Sequence, residues 1–202
     1  VNYLFATPGS QPWDYWLQSL KQNRYLKLPL SDFNRDVLTQ IGVPAADCSV
    51  FRPGYSPEIA RVDAPKRRGS NIRLLTVTNS HDLERYGTRL LLEAYWSAFS
   101  RRDDVTLVVK DYGTSSGDTT LRDLFRARSS EAAIEYVTEF TSKEKLIELY
   151  RSCDAFVSAH RGEGYGMKIL DALACGLPVI ATANSGGSGR SAPRPAKSGT
   201  KR

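Results

Sequence analysis

The chain has 202 residues, 41% of them hydrophobic and 25% charged, with a formal charge of +6. That length holds one full domain or slightly more. The sequence contains no run of about 18 apolar residues, so no membrane span is expected.

The start, VNYLFATPGSQPWDYW, lacks both the basic n-region and the apolar h-region of a secretory signal. It also lacks an initiator Met, which suggests a fragment or an arbitrary start. Cys48, Cys153 and Cys175 are widely spaced, with no CxxC pair. That argues against a disulfide framework or a zinc site and suits a reducing, cytoplasmic setting. Cys153 and Cys175 sit within apolar patterns and read as small buried hydrophobes. The positive charge is concentrated in the tail, where Arg190, Arg194, Lys197, Lys201 and Arg202 account for all but one unit of it. The basic face of a nucleic-acid binder is therefore not expected on the globular part.

In chain order, a helix is expected over 11–23, with the aromatic cluster Trp13-Asp14-Tyr15-Trp16 packed into a core. A second helix is expected after Ser31, a good N-cap, with Val37, Leu38 and Ile41 on one side and Gly42 and Pro44 as its stop. Ser49-Val50-Phe51 reads as a short strand. The polar stretch 63–70, with Lys66-Arg67-Arg68 as a solvated loop, reads as a domain junction.

From Asn71 onward the pattern is regular. Strands are expected at 72–78, 105–110 and 133–137, then at Ala155-Phe156-Val157 and Val179-Ile180-Ala181-Thr182. Helices are expected at 88–99 and 119–128, after a capping box formed by Thr141 and Glu144, and from Met167 to Ala174. Five strands alternating with four helices predict an α/β fold, a doubly wound parallel sheet of Rossmann-like type. Ligands of such sheets bind beyond the carboxyl ends of the strands, which singles out loops 79–87, 111–118, 138–141 and 159–166. Residues 184–202 contain no large apolar side chain and are expected to be disordered.

The loop Arg161-Gly162-Glu163-Gly164-Tyr165-Gly166 opens a helix. Its glycines either cradle a phosphate against the helix N-terminus or simply close a tight strand-to-helix turn. Glu163 and Asp171 lie eight residues apart, just over two helical turns if the intervening chain is helical. A carboxylate at each end of a phosphate cradle suits a sugar nucleotide, one acid for hexose hydroxyls and the other for ribose hydroxyls.

The stretch RGEGYGMKILDALACGLPVIAT resembles the E-x7-E signature of retaining GT-B glycosyltransferases, the "group 1" family. The segments HDLERYGTRLLLEAY, DVTLVVKDYG, IEYVTEFTSKEKLIELYRSCDAFVSAH and SDFNRDVLTQIGVP…FRPGYSPE resemble the family's pattern in the same order. The resemblance implies transfer of a hexose from a nucleotide-diphosphate sugar to a glycan, lipid or protein acceptor, with retention. The donor would be UDP- or GDP-linked, and neither a metal nor another cofactor is expected. Glu163 would contact the donor sugar as the catalytic-site acid. Gly164, Tyr165 and Gly166 would face the diphosphate and sugar, Asp171 would hold the ribose, and the turn around Phe140 would receive the base.

Two departures stand out. The second acid is Asp where Glu is usual, and Arg85-Tyr86-Gly87 stands where the family commonly has Arg-Lys-Gly. Arg85, His81 or Lys110 would have to compensate for the missing lysine. Arg85 reads equally as a solvated loop charge, and His81 as a loop cap. His160 either meets the phosphates or packs at the strand end.

The expected organisation is a remnant of an acceptor-side domain and linker at 1–52, a nucleotide-sugar domain at 53–183 and a basic tail at 184–202. Two further readings accompany the enzyme: a truncated donor-binding remnant without catalysis, and an unrelated nucleotide-binding module.

Overall fold

The structure, a computed structural model, describes residues 11–22, 25–55, 59, 69–113, 120–139 and 142–187. The junction at 63–68, the loop 114–119, Phe140, Thr141 and the tail from 188 onward lie outside the described residues.

Five parallel strands form one sheet: β1 (Ile72–Thr78), β2 (Val105–Asp111), β3 (Ala133–Val137), β4 (Ala155–Ser158) and β5 (Val179–Ala181). Their order is β3-β2-β1-β4-β5. The chain walks outward from β1 to β3, then returns to the other side of β1. The connections before and after that reversal cover opposite faces of the sheet, which is the doubly wound arrangement expected from the sequence.

Alternation along the strands feeds two cores. Leu75, Val77, Val108 and Phe156 pack on one face with Tyr150, Ile169 and Ala172. These last come from α6 (Lys143–Arg151) and α7 (Met167–Ala174). Leu107 and Val109 pack on the other face with Leu92, Tyr95, Trp96 and Leu121. These come from α4 (Thr88–Ala98) and α5 (Thr120–Ala127). Tyr95 also bonds through its hydroxyl to Val105 O, Ala133 O and Leu107 N, at 3.1, 2.7 and 3.1 Å. It thereby ties the start of β2 to the start of β3.

Ahead of the sheet lie α1 (Gln11–Gln22) and α2 (Asp32–Gln40), with Ser31 as the N-cap of α2. Several local expectations change. Tyr15, expected in a core, is 70% exposed. No strand forms at 49–51. The segment instead runs beside 27–29, with a parallel bridge between Lys27 and Cys48 and a 2.9 Å bond from Phe51 N to Pro29 O. The loop 79–87 contains a 3-10 turn at Ser80–Asp82 and a short helix, α3 (Leu83–Tyr86), capped by Asp82. Ser142 caps α6, one residue later than the expected box. Cys153 is buried, while Cys175 is only half-buried. Among the described residues no helix is long and apolar enough to cross a membrane.

Candidate functional site

The strand order reverses between β1 and β4, so the loops leaving their carboxyl ends flank the crevice where such sheets bind ligands. These are the loops 79–87 and 159–166, and they interlock. Arg161 N and Gly162 N donate to Arg85 O at 2.8 and 3.3 Å. Gly87, at φ +63, comes so close to the second loop that a Cβ there would lie 1.8 Å from Ala159 O.

The glycine loop is braced on three sides. Ser31 Oγ donates to Gly164 O at 3.0 Å. The Tyr165 hydroxyl donates to Pro53 O. On the third side, Glu163 N donates to Ser185 Oγ at 3.0 Å and Gly186 N donates to Glu163 O at 2.7 Å. The stretch expected to be disordered from 184 therefore begins with a buried turn, Ser185–Gly187. Apolar content did not reveal it because hydrogen bonds and close backbone approach hold it. A Cβ on Gly186 would meet Gly164 O at 2.0 Å. Gly166, at φ +83, starts α7 and offers no side chain to cap its N–H groups.

The two acids stand in different surroundings. Glu163 is buried, and its Oε2 lies 3.3 Å from Lys168 Nζ. Asp171 opens onto a cavity of about 220 Å³ lined by Lys143, Leu146, Tyr150, Met167 and Cys175. Burial there pushes its carboxyl up to about 6, against the pull of Lys143.

Arg85 is paired with Asp82 at 2.7 Å and lies over the Tyr86 ring, 4.2 Å from its centre. Burial opposes its charge, but the bonds to Asp82 and Tyr86 prevail and raise its pKa. His81 is exposed, and it is its backbone N–H that meets Asn79, at 3.0 Å. Lys110 is almost fully buried, its ammonium donating to Asp111 O at 3.2 Å and Glu139 O at 2.7 Å. His160 is also fully buried, with Nδ1 3.2 Å from Ser158 Oγ and Nε2 3.4 Å from Asn184 O. Both side chains have protein groups as partners, and for His160 this is the packing at the strand end that the sequence offers beside phosphate contact.

A family model described as "Glycosyl transferases group 1" matches residues 71–194. The chain belongs to that family. It is 30% identical over 157 residues to a D-inositol 3-phosphate glycosyltransferase of Arthrobacter sp. (strain FB24), covering 76% of this chain and 36% of that protein. With the enzyme of the same name from Rhodococcus jostii (strain RHA1) the identity is 31% over 151 residues, covering 72% and 32%. The chain spans about a third of the length of these curated relatives.

Among solved structures, Anabaena Alr3699/HepE in complex with UDP and glucose superposes with a TM-score of 0.69 at 17% identity, covering 86% of this chain and 48% of that one. WaaG, a glycosyltransferase involved in lipopolysaccharide biosynthesis, gives 0.70 at 18%, covering 92% and 52%. At these identities the likeness establishes the shared fold.

Within this glycosyltransferase fold, two residues of the crevice escaped the sequence reading. Asp111, wholly buried at the end of β2, accepts from Ser80 N at 2.9 Å, Gly113 N at 2.8 Å and Tyr136 Oη at 2.6 Å. A Lys-Asp pair closing a run of apolar strand residues was the available signal. Lys168 is the other. It stands in the first turn of α7, where it breaks an otherwise apolar helix start.

Proposed function

We propose that this chain carries the donor side of a glycosyltransferase that moves a hexose from a nucleotide-diphosphate sugar to an acceptor with retention. The observation that carries the reading is the position of Glu163. It is a buried carboxylate on a glycine loop at the reversal point of the sheet, directly before an uncapped helix N-terminus. Carboxylates and backbone N–H groups so arranged suit opposite ends of one ligand, hydroxyls at one end and phosphate at the other.

In this reading the bond between the anomeric carbon and the diphosphate oxygen breaks, and a bond to the acceptor oxygen forms. The departing diphosphate takes the negative charge and the acceptor's proton. The N-terminus of α7 and the Arg85 guanidinium stabilise that charge. Glu163 holds the sugar in place, and the Asp171 cavity takes the ribose and base. Lys110 positions the base-side turn by holding Glu139 O. The UDP and glucose in the HepE structure support testing uridine donors first. The reaction would be cytoplasmic, and the reading invokes no metal.

Calorimetry with UDP-hexoses and GDP-hexoses, run beside product analysis on the same sample, tests this. Heat together with transfer supports the enzyme. Heat without transfer favours a donor-binding module instead. Absence of binding to every donor overturns both.

A further inference from the structure

Lys168 is the second residue of α7, and its side chain is 11% exposed. Among the described residues its Nζ has no hydrogen-bond partner. Glu163 Oε2 is within ion-pair distance at 3.3 Å but outside hydrogen-bonding geometry. The ammonium stands over the Tyr86 ring, 3.7 Å from its centre.

Two physical penalties meet here. A desolvated ammonium without hydrogen bonds is unfavourable. A cation in the first turn of a helix also opposes the helix dipole. Burial, aided by Arg85 and resisted by Glu163, lowers the lysine to about 8. An anion in the crevice would relieve both penalties at once. The ammonium stands between the glycine loop, the start of α7 and the loop that carries Arg85 and Tyr86. Tyr86 of that second loop supplies the ring on which Lys168 rests.

We propose that Lys168, from α7, contacts the diphosphate of the bound donor as a second cation beside Arg85 of the 79–87 loop. The assignment rests on the donor-site reading above. Its alternative is a lysine that only balances the charge of Glu163.

UDP and UMP separate the two, because only UDP carries the second phosphate; GDP and GMP serve if the base is guanine. Calorimetry on the wild-type chain and on Lys168→Met and Lys168→Arg reads the difference between diphosphate and monophosphate. In Lys168→Met, diphosphate affinity falls at least about tenfold and monophosphate affinity less than about threefold, the scale of one charge-assisted contact. Lys168→Arg retains the wild-type difference. Because the methionine variant loses a buried charge pair, a second measurement uses only well-folded protein. Wild-type diphosphate affinity falls by roughly tenfold between about pH 7.5 and pH 9.5 as the free lysine deprotonates, and Lys168→Arg stays flat. Equal weakening of both nucleotides, or a flat wild-type pH profile, overturns the assignment and leaves the donor site standing. Failure of the wild-type chain to bind any of the four nucleotides overturns the assignment together with the donor-site reading.

Discussion

The hydroxyl of Ser31 donates to the carbonyl of Gly164, 3.0 Å away and 133 positions later in the chain. The same oxygen accepts from Asn34 N at 3.2 Å as the N-cap of α2. One side chain therefore fixes both the start of a helix and the middle of the glycine loop. Ser31→Ala removes the cap and orphans a loop carbonyl, at about 1–2 kcal/mol. Urea denaturation reads the stability change, and hydrogen exchange reads the loop. Faster exchange over 163–166 is expected. A stability loss with unchanged exchange there would mean that the brace does not hold the loop.

Gly87 makes a sharper demand. Its φ of +63 already disfavours a side chain, and a Cβ would overlap Ala159 O at 1.8 Å. Gly87→Ala should destabilise by at least about 2 kcal/mol, since left-handed backbone alone accounts for roughly half of that. Gly54 has normal φ and nothing within 4 Å, so Gly54→Ala serves as the control and should stay within about 0.5 kcal/mol of wild type. Similar midpoints for the two variants would show that the two loops can separate.

Asp111 joins two loops and strand β3 through Ser80, Gly113 and Tyr136. Asp111→Ala leaves two amides and a phenol without their acceptor and should remove about 3 kcal/mol or more. Tyr136→Phe removes one of the three bonds and should remove about 1 kcal/mol. The double-mutant cycle should return a coupling near 1 kcal/mol, because both residues serve one bond. Additive losses would assign the effect of Asp111 to the amides alone.

The sheet was legible in the sequence because each strand carries a local signal, an apolar β-branched run closed by a turn. The same holds for Ser31 and for the glycine loop. What stayed hidden depends on partners distant in sequence. Lys110 and His160 are polar residues beside glycine loops, a pattern shared by ligands and by buried struts. What the fold adds is their partners, the carbonyls of Glu139 and Asn184. The Ser185–Gly187 turn was invisible to any argument from apolar content, since backbone approach to Gly164 is what orders it. Nothing in the sequence singles out Lys168, which the fold places beside Glu163 and Tyr86.

Asp171 gives the chain a pH dependence whose sign is fixed. Burial raises its carboxyl from 3.8 to about 6, so the folded state favours the neutral form. Its contribution to stability is fully present below the unfolded value of 3.8 and is lost as pH rises through about 6. Asp171→Asn, which stays neutral, should flatten stability between these values and exceed wild type above pH 6. Denaturation midpoints of both proteins from pH 4 to 8 test this, and parallel curves would contradict it. If the cavity holds a ribose, nucleotide affinity should move in the opposite direction, tightening as the carboxylate forms.

Glu163 should separate sugar from nucleotide. Glu163→Gln preserves the shape of the side chain and removes its charge. Proposed to hold the hexose, it should weaken UDP-hexose or GDP-hexose binding by about 1–3 kcal/mol, roughly tenfold to a hundredfold. The corresponding free nucleotide diphosphate should bind no more weakly, because it lacks the hydroxyls the acid would accept from. The variant also removes the ion-pair partner of Lys168 at 3.3 Å, so a fall in thermal midpoint is expected as well. Binding is therefore measured well below that midpoint. Equal losses for sugar nucleotide and free nucleotide would place Glu163 on the phosphates or on the fold. An unchanged sugar increment would remove it from the hexose site.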